Sequence, residues 1–168
     1  RIVADELEAD WSMVELNHVD SDPKWGLMVT GGSWSVWQNF TPLSQAGAAG
    51  RQALIEEGAR LLGVSPDQCQ ARNSQVIAGN QSISYGDIVS RGDLTRTYSE
   101  EELKQMPIKP PSQRRLIGRE SQALDIPGKT DGASRYGLDA KIDGMVYGRP
   151  LIPPTRYGAT VNSVDDSE

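Results

Sequence analysis

Five residues within one short stretch, Thr30, Gly31, Gly32, Ser33 and Ser35, combine the two properties that let a loop hold an anionic group. Glycines bring backbone N–H groups to a ligand with no Cβ in the way, and hydroxyls add further donors. A helix starting just beyond would add the positive end of its dipole. This is the chemistry of a phosphate cradle. The same residues also suit a tight glycine turn with Ser33 or Ser35 as an ordinary helix N-cap, and residue type alone leaves both readings open.

The other chemistry-bearing residues offer less. His18 is the single histidine and lies in a strand-like pattern, so a serine triad or a multi-histidine metal site has no support. Cys69 is the single cysteine, which excludes an internal disulfide, a paired-cysteine redox motif and a cysteine-ligated iron–sulfur cluster within this chain. Flanked by glutamines in an alternating stretch, it reads as a small packed residue rather than a reactive thiol. The acids Asp165, Asp166 and Glu168 read as a solvated terminus and not as a metal site. Residue types alone thus point to no catalytic residue and no metal ligand, and leave the 30–35 loop open between a phosphate cradle and a capped turn.

Several elements must position that loop. The pattern Ile2, Val3, Leu7 predicts the end of a helix over 1–9, and the alternation of Val14, Leu16 and His18 predicts a strand over 12–19. One long helix is predicted over 36–62, with Leu43, Gly47, Gly50, Leu54, Gly58 and Leu61 on one face and a glycine stop at Gly63. Glycine in a helix interior costs roughly 1 kcal/mol relative to alanine. Either a neighbouring element approaches closely and offsets that cost, or the glycines are merely tolerated. Residues 68–83 read as a hairpin turning at Gly79 and Asn80, followed by a short helix from Ser84 to Gly92. Ser99 and Glu102 form a capping box that opens another short helix. The rest of 93–116 reads as a proline-broken linker, and 117–153 as a β-rich unit of short strands joined by glycine turns.

Composition sets the outer bounds. The 168 residues are 37% hydrophobic and 24% charged, enough for one domain or two small ones. A net charge of -6 with no basic cluster excludes nucleic acid as a partner. No apolar run is long enough to span a bilayer, and no signal peptide opens the chain. The start "RIVADELEAD", already helical and without methionine, reads as a piece of a longer protein.

Taken together and in order, "IVADELEADWS", "TGGSWSVWQNFTPLSQAGAAGRQALIEEGARLLGV", "SYGDIV", "RLIGRESQALD", "GKTDGASRYGLDAKIDGMVYGRP" and "VDDS" resemble the molybdenum-cofactor subunit of the xanthine dehydrogenase and aldehyde oxidase family. The branch is the isoquinoline 1-oxidoreductase beta-subunit type, which includes subunits of membrane-bound aldehyde dehydrogenases. The resemblance implies an α+β fold: residues 1–92 as part of a molybdopterin-binding domain, 93–116 as linker, and 117–168 as the start of a small hammerhead-like α/β unit. In that unit Gly128, Gly132, Tyr136, Asp139, Gly144, Met145 and Tyr147 carry the resemblance, with scaffold roles. It also implies aldehyde oxidation or hydroxylation of an N-heterocycle at a molybdenum centre held by a pterin dithiolene. Thr30, Gly31, Gly32, Ser33 and Ser35 would line the cofactor, with Gly32 beside the metal centre.

The implied partners are the rest of the molybdenum subunit and an iron–sulfur subunit, with a cytochrome c subunit as a further candidate. The implied address is periplasmic. The family's glutamine–glycine cofactor loop and its glutamate base lie in segments outside these residues, and Ala123 stands where an arginine is common. Self-association of the isolated chain through uncovered apolar faces is a further expectation. The competing function class is a non-enzymatic binding or assembly module that retains the fold.

Overall fold

The computed structural model of the chain describes every residue except Arg156, Asp166 and Glu168. Two of the terminal acids noted above therefore lie outside the described residues. The secondary structure is mixed α+β: α1 (Ile2–Glu6), α2 (Trp34–Trp37), α3 (Phe40–Leu62), β1 (Gln70–Arg72), β2 (Gln75–Ala78), β3 (Gln81–Ser84), α4 (Tyr85–Arg91), α5 (Glu100–Gln105) and α6 (Ile126–Thr130). The chain divides into two units, Arg1–Pro127 and Gly128–Glu168.

In the first unit α3 is the axis. Gly47 and Gly50 face α1, and Gly58 faces β2 and α4. A Cβ on Gly47 would lie 2.7 Å from Glu6 Cβ and 3.1 Å from the Val3 carbonyl oxygen, and one on Gly58 would lie 2.9 Å from Val76 Cβ. Close approach, and not tolerance, accounts for both glycines. The core is built from Leu54, Val76, Ile83 and Ile88, with Leu7, Ile55, Leu61, Leu62, Cys69 and Tyr85 packed around it. Each buried aliphatic side chain contributes roughly 1.5–3 kcal/mol.

The sheet is a three-stranded antiparallel meander, β1-β2-β3. Gly79 supplies the left-handed residue for the β2–β3 turn, where Ala78 pairs with Gln81. The β1–β2 turn, absent from the single-hairpin expectation, uses Asn73 and Ser74, both at positive φ, with Arg72 opposite Gln75. Asparagine tolerates that region, which gives this turn a weaker signature than glycine would. The starts of the short helices α4 and α5 are as read from sequence. Ser84 Oγ accepts from Asp87 N at 3.0 Å, and Ser99 and Glu102 exchange both bonds of a capping box. Gly63, in the left-handed conformation, ends α3, with Val64 N donating to the Ala59 carbonyl at 3.0 Å.

Four expectations are corrected. The long helix begins at Phe40, not Val36, because Pro42 lacks an N–H and its ring would collide with the Gln38 carbonyl in a continuous helix. Pro42 instead occupies the first turn of α3, where its missing donor has no partner to lose. Residues 12–19 form no strand: a 3-10 turn spans Trp11–Met13, and the stretch beyond it has no regular secondary structure, with Leu16 and Val19 exposed. Strand-like alternation needs a partner edge, and none of the described strands lies beside it.

Residues 93–116 are not a free linker, since Lys109 is buried and 109–117 packs on α1. Nor is 117–153 β-rich, for among the described residues no strand follows Ser84. Within the second unit, Ile142 to Met145 form the expected turn, with Gly144 at φ 75° and Met145 N donating to the Ile142 carbonyl, but the flanking residues stay unpaired and Val146 and Tyr147 are exposed.

Candidate functional site

Thr30, Gly31, Gly32, Ser33 and Ser35 all lie on the surface, in a stretch where every residue from Pro23 to Asn39 is exposed. Trp34 N donates to the Gly31 carbonyl at 3.0 Å, closing a turn through two consecutive left-handed residues, Gly32 (φ 53°) and Ser33 (φ 58°). For serine that conformation costs of order 1 kcal/mol or more. Ser33 precedes α2, yet its side chain makes no hydrogen bond to the helix N–H groups, so it does not act as an N-cap. The long helix begins nine residues beyond Gly31, at Phe40, and α2 is a single turn of four residues. The expected dipole end at the loop is therefore absent, and the loop's donors are backbone N–H and hydroxyl groups alone.

The two glycines differ. A Cβ on Gly31 would meet nothing within 4 Å, whereas one on Gly32 would run into the Trp34 ring, 2.9 Å from Cδ1. Asn39 Nδ2 donates to the Ser35 carbonyl at 3.1 Å and ties the loop's exit to the start of α3. Around the loop, Met28, Val29, Trp34, Val36 and Trp37 present an exposed apolar surface.

A second constellation escaped the sequence reading. Asp5 and Glu6 on α1 are fully buried, and they bind the backbone and side chains of 109–117. Asp5 accepts from Arg115 N at 3.0 Å, Ile117 N at 2.9 Å and Lys109 Nζ at 3.2 Å. Both Glu6 carboxylate oxygens accept from Lys109 N, at 3.0 and 3.1 Å, and Arg51 Nη1 adds a bond at 3.3 Å. Glu8, left-handed at φ 56°, pairs with Lys109 Nζ and with Arg115 Nη1. Burial pushes the Asp5 carboxyl up, but the Arg115 and Ile117 amides together with Lys109 outweigh it and hold the group below the usual carboxylate range. The acids of "DELE" and the bases of "KPPSQRR" were the visible signal, though their separation of about a hundred positions gave no hint that they meet.

This cluster is a clamp and not a reaction centre. A cavity of about 220 Å³ beside it is lined by Asp5, Glu8, Asp10, Trp11, Asn73 and Arg115, with its carboxylates already engaged. Burial raises the Tyr85 hydroxyl to about 12, with Glu8 adding to the rise, and the hydroxyl donates to the Leu7 carbonyl. That group is fixed as a neutral donor. Among the described residues no group of three or more His, Cys, Asp or Glu could hold a metal ion. Cys69 packs against the core, and burial, with Asp67, pushes its thiol up, as suits a structural cysteine. His18 is exposed.

No family model matches the chain. Curated relatives do. Over all of its length the chain is 60% identical to part of the "Membrane-bound aldehyde dehydrogenase [pyrroloquinoline-quinone]" of Gluconacetobacter polyoxogenes. It is 27% identical over 99% of its length to the beta subunit of isoquinoline 1-oxidoreductase from Brevundimonas diminuta. A third relative, a nicotinate dehydrogenase subunit from Pseudomonas putida, is 29% identical over 92% of the chain. The chain is thus homologous to a segment that several oxidoreductase subunits share. That segment is shared with the isoquinoline 1-oxidoreductase beta subunit as well as with this membrane-bound aldehyde dehydrogenase. It spans 22%, 26% and 13% of the lengths of these three relatives. No helix of the described residues is long and apolar enough to cross a membrane.

Proposed function

We propose that the chain is a segment of the catalytic subunit of a molybdenum-dependent oxidoreductase, and that Thr30, Gly31, Gly32, Ser33 and Ser35 border its pterin cofactor. The identity of 60% to an aldehyde dehydrogenase across the entire chain carries the reading and favours an aldehyde over an N-heterocycle as substrate. The donor set fits the group. The loop offers N–H and hydroxyl donors, which suit a polar, phosphate-bearing cofactor, and no thiolate, imidazole or carboxylate to compete for its metal. The bound group would supply the redox chemistry, with an iron–sulfur subunit as the partner that takes the electrons and a cytochrome c subunit as a further candidate. This chain's residues hold and orient it. The exposed apolar stretch around the loop is then covered by the rest of the same subunit, and the periplasm is the compartment.

The name of the Gluconacetobacter relative favours a second reading, in which the loop borders a quinone cofactor. Elemental analysis and quinone extraction of the purified parent enzyme separate the two. Stoichiometric molybdenum supports the first reading, and stoichiometric quinone without molybdenum replaces it.

Gly31→Ala tests the loop itself. Since a Cβ there meets nothing within the chain, any loss of cofactor from folded Gly31→Ala enzyme reports crowding of the cofactor. Full occupancy in that variant would reject the assignment. Gly32→Val is a poorer probe, because the positive φ and the Trp34 ring strain it whether or not a cofactor is there.

A further inference from the structure

We propose that Arg114 is a positioning residue for the Thr30–Ser35 loop, acting through Phe40. The proposal rests on the cofactor-loop reading for its meaning in the enzyme, while its geometry stands on its own. Every residue from Pro23 to Asn39 is exposed, so Phe40 is the first point after the loop at which the chain is held by the packed unit. What holds it is Arg114, whose guanidinium carbon lies 4.7 Å from the centre of the Phe40 ring. The next residue back, Asn39, carries the bond to the Ser35 carbonyl. From Arg114 to the loop the mechanical path is thus one cation–π contact, one peptide unit and one hydrogen bond.

Arg114 is itself fixed from the other side. Its side chain is 8% exposed, Nη2 donates to the Lys109 carbonyl at 2.9 Å, and the same nitrogen lies 3.7 Å from Glu6 Oε1. Lys109 is in turn seated on Glu6 and Asp5, so the buried clamp on α1 determines where the guanidinium sits. Nη1 is buried with no partner among the described residues. An unsatisfied donor on a buried cation is a cost that a methionine in the same place would not carry. A cation over an aromatic face that also donates sideways to a carbonyl is met best by the planar, multi-donor guanidinium of arginine.

The test is hydrogen exchange on the intact parent oxidoreductase, with bound molybdenum measured in the same samples. Arg114→Met should accelerate exchange in peptides covering 34–44 by about ten-fold, the scale of one lost, partly desolvated cation–π contact, while peptides covering 52–62 stay unchanged. Arg114→Lys, which keeps the charge and loses the plane, should give a smaller acceleration in the same peptides. Phe40→Leu leaves the clamp intact and should reproduce the Arg114→Met pattern, which keeps the proposal testable if Arg114→Met does not fold. Unchanged exchange at 34–44 in Phe40→Leu, or acceleration spread evenly over 1–127 in Arg114→Met, overturns the proposal. Molybdenum content reads the loop assignment separately. Accelerated exchange with full occupancy supports the positioning role and rejects the cradle.

Discussion

Two sets of glycines in this chain look alike in sequence and do opposite things. Gly47 and Gly58 in α3 are vacancies that other parts of the chain fill, with neighbouring atoms within 3 Å of where a Cβ would sit. Gly31, in the loop, faces open space at the same position. The first kind trades helix propensity for packing: roughly 1 kcal/mol is lost per glycine, and close contact with α1, β2 and α4 is gained. The second kind is matched by nothing in the chain. The space beside it is free for the cofactor proposed to border this loop, whereas the space beside Gly47 and Gly58 is already taken.

The charged clamp sharpens the contrast, because it holds the packed region together in a way the loop lacks. Lys109→Met should have the largest effect. It leaves Asp5 and Glu8 without their shared cation, and breaking one side of a buried ion pair costs about 3–5 kcal/mol, read from denaturant unfolding. A cost below about 1 kcal/mol would mean that the backbone amides alone hold these carboxylates.

Next come the packed glycines. Gly58→Ala places a Cβ against Val76 and Ile88, and Gly47→Ala places one against Glu6 and Val3. Overpacking costs about 1–3 kcal/mol, partly offset by alanine's better helix propensity, so each variant should lose about 1–2 kcal/mol. A gain in stability from either would erase the distinction drawn here.

Acid sensitivity should follow a second lock in the packed region. Glu57 binds Arg60 through both oxygens and accepts from Asp93 N at 2.8 Å, and Gly92 leaves room for it, since a Cβ there would lie 2.5 Å from Glu57 Oε1. The Arg60 bonds first, and the Asp93 amide second, lower the Glu57 carboxyl from 4.5 to about 2. A depressed folded-state value contributes stability that is present above the unfolded value and lost as pH falls through the folded one. Stability should therefore decline between about pH 4.5 and pH 2. Glu57→Gln should flatten that decline when unfolding is followed as a function of pH.

The smallest expected effect is the most informative. Gly31→Ala should leave stability unchanged or raise it by up to about 1 kcal/mol, because its backbone is not left-handed and alanine restricts the unfolded chain. Alone among these variants it should lower cofactor occupancy without lowering stability.

Local chemistry was enough for the parts of the fold that depend on neighbours in sequence. Ser84, Gly63, Gly79 and the Ser99–Glu102 box each mark an element end through contacts within a few residues, so the sequence alone determined them. The likeness to oxidoreductase subunits likewise rests on the order of residues alone. The break at Gln38–Asn39 was legible too, since Pro42 dictates it by the same local rule, although the pattern of apolar spacing masked it.

What only the tertiary structure decided concerns partners far apart in the chain. Whether Gly47 and Gly58 were filled or merely tolerated depended on α1, β2 and α4 arriving at α3. That 109–117 is clamped rather than loose depended on Asp5 and Glu6, more than a hundred positions earlier. The strands expected over 12–19 and 117–153 failed for the converse reason: alternation offers an edge, but a strand exists only where another edge meets it. Short-range preferences are written in residue types, whereas burial, pairing and charge compensation belong to pairs, and a sequence names the members of a pair without saying that they meet.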